Sequence, residues 1–401
     1  MQSKPTLFGY GLTTKAIAKK LAGGCIFFDD KAKESFIDED NNQIFPSNLF
    51  DAQKSQLEVT TPSVPPNHPL ILSANNLLSE YDYFAKEMPF SIWISGTNGK
   101  TTTTQMLGFL LESRGAVTGG NIGTPLAELD TKAPIWILES SSFTLHHTNI
   151  ASPNIYLLLP ITPDHLDWHG TPKQYEADKL KPLLTMREGE MALVPKGLNL
   201  PKTDAFVVEY DSAEFLENYF DIDASKIRFK SAFLEDALLA LAVTKTLFDE
   251  IDYNTINAFT LDNHRQEETT DRLGGLWVND SKATNLDATI QAVKGYDDRF
   301  IRLIIGGNDK GADLTPLFEL LEDKEIKLYT IGANSQKLAT LSKKYNITFS
   351  ACKTLKNAVD IIAKERTQND VALLSPAAAS FDQFNSYKHR GEEFFKFVRN
   401  I

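Results

Sequence analysis

One stretch constrains this chain more than any other. An apolar strand, Ser91-Ile92-Trp93-Ile94-Ser95, runs into Gly96-Thr97-Asn98-Gly99-Lys100-Thr101-Thr102 and on into a helix-forming run from Thr101 to Ser113. Glycines there let backbone N–H groups curl around phosphate oxygens, and the helix start adds partial positive charge. Lys100 brings a point charge for the β- and γ-phosphates, and Thr101 a hydroxyl for Mg²⁺. The spacing is shorter than the common G-x-x-x-x-G-K-[ST] pattern. The strand before and helix after weigh against an ordinary turn with an incidental lysine, so the stretch reads as a nucleoside triphosphate site.

The rest of the chain repeats the same alternation. Strands are expected at Thr6–Phe8, Cys25–Phe28, Ile92–Ser95, Ile135–Leu138, Ile155–Leu159, Leu303–Ile305, Leu328–Ile331 and Val371–Leu374. Helices are expected at Thr13–Leu21, Thr101–Ser113, Leu234–Phe248, Leu286–Val293 and from Phe381 to the end. Short apolar runs between amphipathic stretches imply an α/β fold with mostly parallel sheets. At about 150 residues per domain, 401 residues suggest two to three domains,. An acidic, turn-rich stretch near Glu87 and a fresh alternation after Phe259 divide the chain into 1–87, 88–260 and 261–401.

A net charge of −12 disfavours a partner such as nucleic acid or anionic lipid,. Two distant cysteines, Cys25 and Cys352, make neither a disulfide framework nor a thiolate metal site,. The opening residues reach glycine too soon for a secretory leader, and no apolar run is long enough to span a bilayer,. A cytoplasmic location is the expectation.

Other strand ends carry chemistry. Glu139 ends Ile135–Leu138, where open α/β sheets bind ligands, and suits either Mg²⁺ or a helix cap,. Asp164-His165-Leu166-Asp167-Trp168-His169 is dense in acids and imidazoles for a loop, whereas His146-His147 reads as surface or cap,. Gly9-Tyr10-Gly11 with Asp29 imitates a dinucleotide fingerprint, with Thr14 at the third glycine position,. In the last block, Asn279–Asn285, Gly306–Lys310 and Ser375–Ser380 would give three strand ends rich in Lys, Ser, Thr and Gly, an anion-receptive rim,.

Taken in order, these segments resemble the Mur ligase family of ATP-dependent amide-forming enzymes of peptidoglycan precursor synthesis. Gly96–Thr102, Gly120-Asn121-Ile122-Gly123-Thr124-Pro125, Glu139–Ser142 and Asp164–Asp167 follow the family's order, and the likeness covers nearly the whole chain. Asn279-Asp280-Ser281-Lys282-Ala283-Thr284-Asn285 and Ser375–Gln383 are similar to the branch that adds D-glutamate to UDP-N-acetylmuramoyl-L-alanine. The resemblance implies a Rossmann-like N-terminal domain, a central P-loop domain and a Rossmann-like C-terminal domain, in a monomer.

It also implies roles for residues. Gly11, Leu12, Thr13, Asp29, Asp30, Thr61, Pro62, Asn121 and His165 would hold the UDP-linked substrate. Gly96, Thr97, Asn98, Gly99, Lys100, Thr101 and Thr102, with Asp236, Arg265 and Asp280, would hold ATP. Thr101, Glu139, His165 and a carbamylated Lys179 would bind two Mg²⁺ ions; Lys100, His165, Lys179 and Lys282 would serve catalysis. Thr284, Lys310, Ser380, Phe381 and Tyr387 would bind D-glutamate. The chain departs from the family pattern at Thr14, Ser63, Thr144, Pro160 and Ala232–Asp236. The rival expectations are a folylpolyglutamate-type ligase, a regulatory P-loop NTPase and an NAD-dependent oxidoreductase.

Overall fold

The computed structural model describes residues 4–401. These residues form three six-stranded sheets. The first contains β1 (Thr6–Phe8), β2 (Ile26–Asp29), β3 (Phe36–Ile37), β4 (Gln43–Pro46), β5 (Glu58–Thr60) and β6 (Leu77–Leu78), ordered β3-β4-β2-β1-β5-β6. Only the β3–β4 pair is antiparallel. The second contains β7 (Phe90–Ser95), β8 (Ala116–Gly120), β9 (Ile135–Glu139), β10 (Ile155–Leu158), β11 (Met191–Pro195) and β12 (Phe206–Tyr210). Its order is β12-β11-β10-β7-β9-β8, parallel throughout.

Parallel strands covered on both faces must be apolar nearly throughout, and Ile92-Trp93-Ile94, Ile135–Leu138 and Ile155–Leu158 are all buried,. The first two sheets belong to one compact unit, residues 1–229 with 233–259, and share a hydrophobic core in which Leu7 and Phe27 join Trp93, Trp136 and Leu138. Within this unit Asp82 is buried, and its carboxylate accepts the backbone N–H groups of Asn149, Ile150 and Ala151, each at 2.8 Å. Next to it, Tyr81 packs edge-on against Trp93.

The other compact unit, 230–232 with 260–401, holds the third sheet. It contains β13 (Glu267–Thr270), β14 (Leu276–Asn279), β15 (Ile301–Ile305), β16 (Ile326–Ile331), β17 (Phe349–Lys353) and β18 (Val371–Leu374), ordered β13-β14-β18-β15-β16-β17. The β13 edge is antiparallel and the remainder parallel. Helices cover both faces, giving one core around Leu303, Phe318 and Leu328 and another around Trp277, Tyr329 and Phe394.

The sequence placed the main strands and helices within a few residues, with one clear correction. The last helix starts at Tyr387, not Phe381. Ser386 caps it by accepting the N–H of His389, while the Ser380 carbonyl accepts the N–H groups of Gln383 and Phe384 and closes a turn instead,.

On β15, buried Arg302 donates to Asp370 at 2.6 Å, to Tyr329 Oη at 2.7 Å and to the Glu365 carbonyl at 2.8 Å. Removing one partner of a buried ion pair costs about 3–5 kcal/mol. Arg302→Ala should therefore lower the melting transition of the second unit well below wild type, followed by circular dichroism, while Lys327→Ala at the exposed edge of the same network should shift it little.

Candidate active site

The phosphate loop leaves β7 at Ser95 and enters the helix Lys100–Leu111. Gly96 (φ +140°) and Gly99 (φ +81°) are needed there. A Cβ on Gly96 would stand 2.4 Å from Leu159 Cβ, and one on Gly99 2.4 Å from Asp236 Oδ1,. Thr97 Oγ1 accepts the N–H of Thr162 at 2.9 Å and meets Tyr175 Oη at 3.0 Å. Lys100 Nζ donates to the carbonyls of Gly96 (3.0 Å) and Thr97 (2.8 Å). Thr103 Oγ1 donates to buried Asp236, which therefore packs beneath the loop. The hydroxyl of Thr102 is buried with no hydrogen-bond partner among the described residues.

Three further groups from the expected set gather near this loop. Lys179, 1% exposed, donates through Nζ to the same Gly96 carbonyl at 2.7 Å. Burial pushes its amine well below the ordinary range, and the Lys100 charge adds to the effect,. Glu139 ends β9; its Oε1 accepts from Asn121 Nδ2 at 2.7 Å, whereas Oε2 is buried with no partner among the described residues. His165 adopts a left-handed conformation (φ +53°) before the helix Leu166–His169, with its ring 4.8 Å from that of Phe143. Partial burial lowers its imidazole pKa and outweighs Asp164; Lys100 acts in the same direction. An unpartnered carboxylate oxygen at a strand end beside a phosphate loop has the hard-oxygen chemistry that Mg²⁺ takes, and Thr101 is the second residue of the helix Lys100–Leu111 that follows the loop,.

At the carboxyl ends of β1, β2 and β5, Gly11, Leu12 and Thr13 begin the helix Leu12–Lys20. Thr14 replaces the expected third glycine because its buried Oγ1 ties the loop shut by donating to the Gly9 carbonyl at 2.6 Å. The two Asp29 oxygens accept the N–H groups of Tyr10 and Lys31, both at 2.7 Å, so this carboxylate braces the loop. Asp30 bonds Ser47 and His68, and Thr61 lies against Gly9 with Pro62 beside it.

The second unit gathers its own set at the ends of β14, β15 and β18. Asp280 is buried, accepts from Ser375 Oγ at 2.8 Å, and is pushed up to about 7 by burial despite that bond and the Arg265 charge. Arg265 Nε and Ser380 Oγ are buried without partners among the described residues. Asn308 and Ala379 exchange two backbone hydrogen bonds of 2.9 Å, bringing the Lys310 loop against Ser380. Lys310 and Thr284 are exposed, Phe381 is 74% exposed, and Lys282 Nζ lies 5.8 Å from the centre of the Tyr387 ring.

Sequence reasoning missed Arg390. Buried on the helix Tyr387–Arg399, it donates to the Ser281 hydroxyl and carbonyl and to the Ala378 carbonyl, and burial lowers its pKa to about 10. An arginine on the apolar stripe of an amphipathic helix was the available signal. The surface reading of His146-His147 is also corrected. His147 is buried, its pKa lowered to about 4 by burial, and His146 bonds Asp178. The partners that enclose them, the Trp168 ring and the Val64 carbonyl, lie elsewhere in the sequence.

A family model for the Mur ligase middle domain matches residues 94–199. A UDP-N-acetylmuramoylalanine–D-glutamate ligase of Campylobacter jejuni (strain 81-176) is 49% identical over 99% of this chain and 100% of its own length. The chain belongs to the UDP-N-acetylmuramoylalanine–D-glutamate ligase family. A Helicobacter pylori (strain 26695) member of this family is 44% identical over 98% of this chain and 99% of its own. In fold, the chain resembles the MurF ligase of Thermotoga maritima, solved in complex with ADP, with a TM-score of 0.60 at 14% identity over 98% and 97% of the two chains. Among the described residues, no helix is long and apolar enough to cross a membrane.

In this ligase, the folded pKa of Asp280 (about 7) lies above the ordinary 3.8. Its contribution to stability is thus full at low pH and is lost as pH rises through 7. The second unit of the wild type should melt lower at about pH 8 than at about pH 5.5, and in Asp280→Asn, which keeps an acceptor for Ser375, calorimetry should show a smaller drop.

Proposed function

We propose that this ligase joins the L-alanyl carboxylate of UDP-N-acetylmuramoyl-L-alanine to the amine of D-glutamate at the expense of ATP, in the cytoplasm. Full-length similarity to ligases named for that reaction supports the reading. The observation that carries it structurally is the convergence of Lys100 and Lys179 on the Gly96 carbonyl, beside the strand end where Glu139 keeps one carboxylate oxygen unpartnered. It does not favour a folylpolyglutamate-type ligase, a regulatory NTPase or a dehydrogenase.

Residues 1–87 would bind the UDP moiety through Gly11, Leu12, Thr13, Asp30, Thr61 and Pro62, with Asp29 shaping that loop, and Asn121 and His165 would meet the sugar–peptide end. Residues 88–260 would bind ATP through Gly96–Thr102, with Asp236 below the loop; Arg265 and Asp280 of residues 261–401 would add contacts. Lys282, Thr284, Lys310, Ser380, Phe381 and Tyr387 would receive D-glutamate, whose two carboxylates suit lysine and hydroxyl donors.

Lys100 neutralises charge on the transferred γ-phosphoryl group as it moves to the substrate carboxylate, forming an acyl phosphate. The D-glutamate amine then attacks the activated carbonyl, and phosphate leaves. Magnesium, when bound by Thr101, Glu139, His165 and carbamylated Lys179, supplies further charge neutralisation. The depressed amine pKa of Lys179 suits carbamylation, because only a neutral amine takes up CO₂.

Phosphate release should require ATP, the muramoyl substrate and D-glutamate together, and L-glutamate should not replace the D-isomer. Lys100→Ala should reduce turnover by about 10²–10³-fold. Release indifferent to any amino acid would refute the ligase assignment.

A further inference from the structure

The helix Pro172–Leu180 carries two pairs of side chains at i, i+4 spacing, and they serve different partners,. Tyr175 and Lys179 meet the phosphate loop, through Thr97 Oγ1 and the Gly96 carbonyl. Gln174 and Asp178 meet each other, and Asp178 reaches the helices Ser142–His147 and Leu166–His169.

Asp178 is 3% exposed, and its carboxylate is met by Gln174 Nε2 (2.9 Å), His146 Nδ1 (2.9 Å) and His169 Nδ1 (2.7 Å). The side chain of His169 is wholly buried, and its Nε2 lies 3.0 Å from Ser142 Oγ. With Nδ1–H given to the carboxylate, Nε2 is the acceptor and the Ser142 hydroxyl the donor. Ser142 lies three residues beyond Glu139. A continuous line of hydrogen bonds, Asp178–His169–Ser142, thus joins the helix bearing Lys179 to the segment that leaves Glu139. On the same helix, Tyr156 Oη donates to the Lys179 carbonyl at 2.5 Å.

His146, His169 and Asp178 also have the composition of a metal site. Their spacing is that of hydrogen bonds. Two ligands on one tetrahedral ion, with bonds of about 2.0–2.1 Å, stand roughly 3.3 Å apart, farther than either imidazole nitrogen stands from the carboxylate,.

We propose that Asp178 is a positioning residue for the ligase reaction: through His169 and Ser142 it fixes Lys179 and Glu139 relative to each other, and so sets the affinity of the site for the divalent cation. The proposal rests on the functional reading above for the roles of those two residues. Partners one shell behind metal ligands are worth about 10–100-fold in metal affinity or activity.

The test compares full-length wild type with Asp178→Ala, His169→Asn and Ser142→Ala. Mn²⁺ binding in the presence of a non-hydrolysable ATP analogue is counted by electron paramagnetic resonance, alongside ligation kinetics and melting temperature. In Asp178→Ala, Mn²⁺ half-saturation should rise and kcat should fall, each by about 10-fold or more, while KM for ATP changes less than about 2-fold. Ser142→Ala should show a smaller loss of the same kind, and His169→Asn, which keeps a donor toward Asp178, should bind Mn²⁺ better than Asp178→Ala. If Asp178→Ala does not fold, the other two variants decide. Unchanged Mn²⁺ binding in the folded variants, losses that only track the unfolded fraction, or one equivalent of zinc bound to wild type and lost in His169→Asn would overturn the proposal. Wild-type protein without D-glutamate-dependent phosphate release would instead refute the functional reading, and the Mn²⁺ titration would still judge the positioning role.

Discussion

The Gly96 carbonyl accepts from two lysine side chains, Lys100 and Lys179, and much of the first unit is arranged around that meeting. Two cations on one oxygen would repel each other, and the repulsion grows as water is excluded. Burial, which lowers the pKa of the Lys179 amine, eases that repulsion, and Lys100 has a second carbonyl partner, that of Thr97. In the proposed reaction, a phosphate would offer Lys100 a stronger partner than either carbonyl. Lys100 thus holds the loop in shape through two of its own carbonyls.

All three sheets place their chemistry at the carboxyl ends of parallel strands, and each does so with different means. The first shapes a loop with hydroxyls and backbone, as Thr14 and Asp29 show. The second buries ionisable side chains, Lys179 and Glu139. The third buries an acid, Asp280, that accepts from Ser375, while Arg390 holds the Ser281 turn. One geometric rule thus gathers three different sets of side chains at strand ends.

The phosphate loop was legible because its signal is local: glycines at fixed offsets between an apolar strand and a helix. The strands were legible because burial on both faces leaves uninterrupted apolar runs. Family likeness supplied Lys179, which the residues alone present as an ordinary helical lysine. What stayed hidden depends on distant partners. Nothing near Asp178 in sequence announces His146, and nothing near Asp82 announces three waiting N–H groups from residues 149 to 151. Arg390 could have been suspected from the helix face it occupies, but its carbonyl partners lie on two separate turns.

The Asp82 contact has a consequence for how the chain can be divided. A single carboxylate that neutralises three backbone donors beyond the strand Phe90–Ser95, next to a tyrosine packed on Trp93, makes residues 79–84 a weld between the first two sheets. Cutting the chain at its apparent boundary near residue 87 would carry the weld away with the first sheet. The middle sheet would be left with three unpaired amides and a bare indole, so it is a segment of the sequence without being a separable piece of the molecule.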